Sequence, residues 1–141
     1  MKFNYNKNNK TKESYMFLSN YLDVIDIKSF LNNDNLHQIC VTDNDKLIAV
    51  SIFKIKNNKI HLNYTAIHKD YRRIKLNTKL KTIIINIAKQ NNCKLITSNI
   101  RISNNASIKS HLKIGFKINN NYNLKYKNNE KKISMYLKLK Y

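Results

Sequence analysis

Three positive side chains, Arg72, Arg73 and Lys75, fall within four residues of one another. They lie between a β-branched and aromatic segment ending at Ile67 and an amphipathic run beginning at Leu76. A strand feeding directly into a helix leaves the first helical N–H groups without partners. Those donors and the positive end of the helix dipole suit an anion such as a phosphate. The chemistry read from this stretch is a phosphate cradle. No other cluster competes with it. Cys40 and Cys93 are isolated, with neither metal-ligand nor disulfide spacing around them, and read as reduced, packed thiols.

The elements that must position the cradle follow from periodicity. Leu76, Leu80, Ile83, Ile84, Ile87 and Ala88 recur on one face of a 3.6-residue helix that Asn91-Asn92 ends. Before it, His37 to Thr42, Leu47 to Lys56 and Lys59 to Ile67 read as strands. Asp43-Asn44-Asp45 and Asn57-Asn58 are the turns between them. Along the second of these strands the apolar phase slips at Phe53 and Ile55. Either a bulge or burial on both faces would produce that slip.

After the helix, Lys94 to Asn99 reads as a strand, parallel to the one before because a helix crosses between them. A further helix spans Asn104 to Ile114, with Asn104 as its cap and Gly115, the only glycine, as its left-handed end. Phe116 to Ile118 begins a strand, Asn119–Asn121 and Asn128-Asn129 read as turns, and Lys132 to Leu139 closes the chain as a strand. At the other end, residues 1–12 read as a polar, frayed terminus in which Phe3 and Tyr5 form at most a short edge strand. Two short helices follow, Lys12 to Tyr21 and one capped by Asp26.

The 141 residues suit one domain with a real core. No apolar run approaches a membrane span, and the N-terminus lacks a signal-peptide core, so a cytoplasmic protein is expected. The net charge of +19 is lopsided: residues 1–70 carry ten basic and seven acidic side chains, residues 71–141 seventeen basic and only Glu130. Such a field attracts polyanions. Nearly all of it is lysine rather than arginine, however, and the scarcity of Gly and Pro beside abundant Asn, Lys and Ile matches an AT-rich codon bias without selection for binding.

Three segments carry a resemblance. Ile67-His-Lys-Asp-Tyr-Arg72-Arg-Ile-Lys75-Leu-Asn77-Thr78 resembles the acyl-CoA motif Arg/Gln-x-x-Gly-x-Gly/Ala of the GNAT superfamily of N-acyltransferases. Asn104-x-x-Ser107-x-x-Ser110-His111-x-Lys113-x-Gly115-Phe116 is similar to its second motif, and Glu130-Lys-Lys-Ile-Ser-Met135-Tyr-Leu to its last strand. The resemblance implies an α/β fold of the GNAT type. Its central sheet would be mixed and mostly antiparallel, of about six or seven strands, with helices on both faces.

The resemblance also implies transfer of acetyl from acetyl-CoA to an amine on a small molecule or protein. Backbone groups of Arg72, Arg73, Ile74, Lys75, Leu76, Asn77 and Thr78 would hold the pyrophosphate, Ala66, Ile67 and His68 the pantetheine, and Asn104 would lie beside it. His111 stands where the family has a tyrosine acting as general acid. Tyr64 and His61 are candidate bases, expected on opposite faces of their strand because one number is odd and the other even. Both motif glycines are replaced, by Lys75 and Asn77, of which asparagine tolerates left-handed backbone better. The alternative is a catalytically silent module of this fold that binds nucleic acid through its lysine-rich C-terminal half. Many members of this family pair through terminal strands, and the resemblance makes Ile133 to Leu139 a candidate edge for a homodimer.

Overall fold

The computed structural model describes residues 1–6, 10–72, 75–125 and 131–140. Along the chain run β1 (Lys2–Asn6), α1 (Lys12–Ser19), α2 (Ile27–Asn32), β2 (Leu36–Asp43), β3 (Lys46–Lys56), β4 (Lys59–Ile67), α3 (Leu76–Gln90), β5 (Leu95–Arg101), α4 (Asn105–Ile114), β6 (Lys117–Lys125) and β7 (Lys131–Lys138). A single 3₁₀ turn, Lys69–Tyr71, lies between β4 and α3. The strands form one sheet in the order β1-β2-β3-β4-β5-β7-β6. Only β4 and β5 pair in parallel.

Local chemistry explains the boundaries. Asn44, Asp45, Asn57 and Asn58 all take positive φ, the backbone of a tight hairpin turn that Asn and Asp adopt most readily. The β2–β3 and β3–β4 hairpins form on these two turns. Thr11 caps α1 through Ser14 N–H, and Asp26 caps α2 through Ser29 N–H. Asn92 ends α3 at φ 55°, and Gly115 ends α4 at φ 113°.

The sheet is covered on both faces. Leu80, Ile84, Ile87 and Ala88 of α3 pack with Ile39, Val41, Phe53, Ile60, Ile96 and Phe116 into one cluster. On the other face Leu18 of α1 and Phe30 of α2 pack with Leu36, Val50, Ile52 and Ala66. The phase slip of β3 is therefore burial on both faces, since Ala49 through Phe53 are all buried and β2–β3 pairing runs unbroken there.

A bulge in β3 does occur earlier, at Ile48, since Thr42 pairs with Leu47 and Val41 with Ala49; a second irregularity lies across the ladder, in β4. Ile52 pairs with Tyr64 and Phe53 with Leu62, so Asn63 is an extra residue in β4. This corrects the parity expectation. Tyr64 pairs with Ile52 and His61 with Lys54, which places both on the α1–α2 face.

The short edge strand expected at Phe3 and Tyr5 is present as β1, paired to β2 over all of its residues, so residues 2–6 are not frayed. Lys10 behind it is buried, its ammonium donating to the carbonyls of Asn33 and Leu36 at 2.6 and 3.1 Å. Two other expectations are corrected. Asn119–Asn121 lie within β6, whose pairing with β7 jumps from Ile118↔Met135 to Asn123↔Ile133. Finally, β7 is an inner strand between β5 and β6, so Ile133 to Leu139 offers no free edge. The turn read at Asn128-Asn129 lies outside the described residues.

Candidate active site

The parallel pair that carries the site is short. Pairing between β4 and β5 runs from Lys59↔Leu95 only to Leu62↔Ser98. Beyond Asn63, β4 continues to Ile67 against β3, while β5 continues to Arg101 against β7. The two strands therefore part, and a gap opens between Asn63–Ile67 and Asn99–Arg101. His68 N–H donates to Ile48 O at 2.7 Å, closing the β3–β4 ladder. By the alternation of an antiparallel ladder, Ala66 also bonds towards β3, while Thr65 and Ile67 turn their N–H groups into the gap. Ile67 O is taken by Arg72 Nε at 3.0 Å.

The N-terminus of α3 stands past the end of β4. Lys75 occupies its cap position at φ 59°, ψ 24°, the left-handed conformation, and its side chain makes no capping bond. Lys79 N–H returns to Lys75 O at 3.2 Å. The N–H groups of Leu76, Asn77 and Thr78 precede the first intrahelical bond and face outward. The left-handed residue at a motif glycine position is thus Lys75. Asn77 is helical, with its Oδ1 accepting from Lys81 Nζ at 2.6 Å.

Arg72 folds back onto the strand end, its guanidinium 5.6 Å from the centre of the Tyr21 ring. Its side chain serves the end of β4 and the segment that follows α1 rather than the N-terminus of α3. His68 caps the 3₁₀ turn by accepting Asp70 N–H at 3.2 Å. Asn104 Oδ1 accepts Ser107 N–H at 3.1 Å and so caps α4. Arg73 and Ile74 lie outside the described residues.

His111 is buried in α4, packed edge-on against Phe116 with ring centres 4.9 Å apart. Its Nδ1 lies 2.7 Å from Ser107 O; a carbonyl only accepts, so Nδ1 carries the proton. Nε2 is then a bare lone pair, buried and without a partner among the described residues. Burial and the nearby Lys81 ammonium hold the imidazole down at about 4. The ring is neutral at pH 7 with no proton to spare on Nε2, which argues against the general-acid role expected of it.

Periodicity did not single out Lys81. It is buried on α3, its ammonium pulled down to about 8 by desolvation, and with Leu62, Ile84, Ile85, Ile96 and Phe116 it lines a packing gap under α3. The sequence signal was a lysine one residue past Leu80 and three before Ile84, at the margin of the apolar stripe. On the opposite face, His61 Nδ1 lies 2.7 Å from Thr97 Oγ1 across the β4–β5 pair. Tyr64 is half-buried three residues further along that face. The structure therefore brings Tyr64 and His61 together on one face and sets His111 and Lys81 on the other. Among the described residues no cluster of His, Cys, Asp or Glu could hold a metal ion, and no helix is long and apolar enough to cross a membrane.

A mixed sheet whose parallel pair parts in front of a helix N-terminus without a side-chain cap defines an α/β fold with an open gap lined by unpaired backbone donors. The family model for the Acetyltransferase (GNAT) family matches residues 5–116, and the chain belongs to that family. Among solved structures the chain is similar to the ribosomal-protein-S18-alanine N-acetyltransferase from Escherichia coli, with TM-score 0.79 and 21% identity over 99% of this chain and 96% of that one. It is also similar to a Bacillus subtilis acetyltransferase in complex with CoA, with TM-score 0.78 and 14% identity over 99% of each chain. Ard1 from Thermoplasma volcanium matches with TM-score 0.79 and 12% identity over 100% of each chain. No curated protein matches the chain significantly.

Proposed function

We propose that the chain is an N-acetyltransferase that takes an acetyl group from acetyl-CoA and delivers it to an amine. The observation that carries this reading is the parting of β4 from β5 directly before an uncapped α3 whose cap residue, Lys75, is left-handed. A left-handed residue there turns successive amides towards one point, as a diphosphate requires. Lys75 does this at some conformational cost while keeping the turn that glycine would give.

In this reading the N–H groups of Leu76, Asn77 and Thr78 hold the pyrophosphate, and the Lys75 ammonium adds charge. Thr65 and Ile67 offer backbone groups to the pantetheine amides as a neighbouring strand would. Ala66 and His68 support them from the β3 side, and Asn104 stiffens the first turn of α4. When bound, acetyl-CoA supplies the activated thioester. Tyr64 flanks the gap on the α1–α2 face, where the amine enters and sheds its proton to water.

His111 contributes shape and a buried acceptor rather than a proton. Lys81 supplies a protonated, poorly solvated cation on the α3 side, where it favours negative charge developing in the gap. The reading is tested by following thiol release from acetyl-CoA with a panel of amines, using wild type and Lys81→Met. Transfer to at least one amine is expected, with kcat lowered in the variant and acetyl-CoA affinity held within a few-fold. Absence of transfer to any amine, or of acetyl-CoA binding, contradicts it.

A further inference from the structure

The β3–β4 hairpin carries a second feature, away from the α3 terminus. A cleft of about 220 Å³ is lined by Lys54, Lys56, Asn57, Lys59, His61 and Thr97. The register places these side chains on one face: Lys54 pairs with His61, Lys56 with Lys59, and His61 with Thr97. It is the α1–α2 face, which carries Tyr64 at the gap. Among the described residues no carboxylate lines the cleft, and Lys54, Lys56 and Lys59 make no salt bridge. We propose that this cleft is an anion subsite for the acceptor, and that the acceptor is an acidic peptide presenting its amine at the gap between β4 and β5.

Distance favours a peptide over a free amino acid. His61 lies three residues from Tyr64 on the same strand, which places the cleft roughly 10 Å from the gap along the sheet. An amino acid's own carboxylate is one carbon from its amine and falls short. Two or three extended residues span that length, so acidic side chains at the second or third position reach the lysines. The charges facing His61 agree: after burial, Lys54 from β3 and Lys132 from β7 both disfavour its protonation. A carboxylate in the cleft would reverse that field.

The inference rests on the acyltransferase reading, and the experiment separates the two. Peptides Ala-Asp-Glu-Ala-Ala and Ala-Asn-Gln-Ala-Ala are compared as acceptors with the full chain, acetyl-CoA binding being measured separately by calorimetry. The acidic peptide should show a KM about tenfold lower, the effect of a few surface charges acting together. Lys54→Gln with Lys59→Gln should abolish the difference. Lys89→Gln with Lys109→Gln, two exposed helical lysines lost elsewhere, should preserve it. By NMR, the acidic peptide should raise the titration midpoint of the His61 ring in wild type and leave it unmoved in the Lys54/Lys59 variant. Equal KM values, acetylation of neither peptide, or equal losses in the two double variants overturn the subsite while acetyl-CoA binding stands. Failure to bind acetyl-CoA overturns both.

Discussion

His111 and Lys75 each hold a position that physical chemistry makes expensive. The folded imidazole of His111 titrates near 4, below the roughly 6.5 of an unfolded histidine. Between those values the unfolded chain binds the extra proton, so stability is complete above pH 6.5 and falls as pH drops towards 4. The loss is about 3 kcal/mol at most. Urea unfolding of wild type and His111→Phe at pH 7 and pH 4.5 should show the wild type losing about 2 kcal/mol more than the variant. Equal losses would mean that His111 is not buried neutral.

Lys75, at φ 59°, bears the cost of a side chain in left-handed backbone, about 1 kcal/mol. Lys75→Gly should leave stability unchanged or raise it by up to that amount, and should tighten acetyl-CoA binding several-fold by letting the backbone approach the diphosphate. Weaker binding would instead assign Lys75 a dominant charge role.

At the scale of elements, the parting of β4 from β5 makes a residue-by-residue prediction. Without ligand, the amides of Thr65 and Ile67 face the gap and should exchange with solvent fast, while those of Ala66 and His68 are held by β3. Acetyl-CoA should slow Thr65 and Ile67 by at least about tenfold and barely change the other pair. Uniform protection along β4 would contradict a strand-like seat for the pantetheine.

These elements also mark how far the sequence could be read. The hairpins were legible because Asn and Asp at Asn44-Asp45 and Asn57-Asn58 are the residues that tolerate positive φ. The long helix was legible because its apolar stripe has a single period. The extra residue at Asn63 left no such mark. A bulge adds one residue without changing residue types, and it reversed the parity argument for His61 and Tyr64. Strand β6 escaped because Asn119–Asn121 carry turn propensity and fall in a register jump, while the residues on either side of them pair with β7. Motif alignment carries no information on burial, and burial is what holds the His111 imidazole below its ordinary range.

For the whole molecule, a charge of +19 is both an aid and a confounder. It raises encounter rates with any polyanion and is screened within about 8 Å at physiological salt. Salt therefore separates a built diphosphate seat from a diffuse field: specific binding keeps most of its affinity as salt rises, and general attraction does not.

Calorimetry of acetyl-CoA binding at moderate salt, with ATP and dephospho-CoA as controls for plain anion capture, decides whether the α3 terminus is a built diphosphate seat. Saturable one-to-one binding is expected, favouring acetyl-CoA over ATP and persisting as salt is raised. Binding that is absent, or equal for every polyanion and lost in salt, would contradict it and leave a basic protein of this fold without its acyl donor.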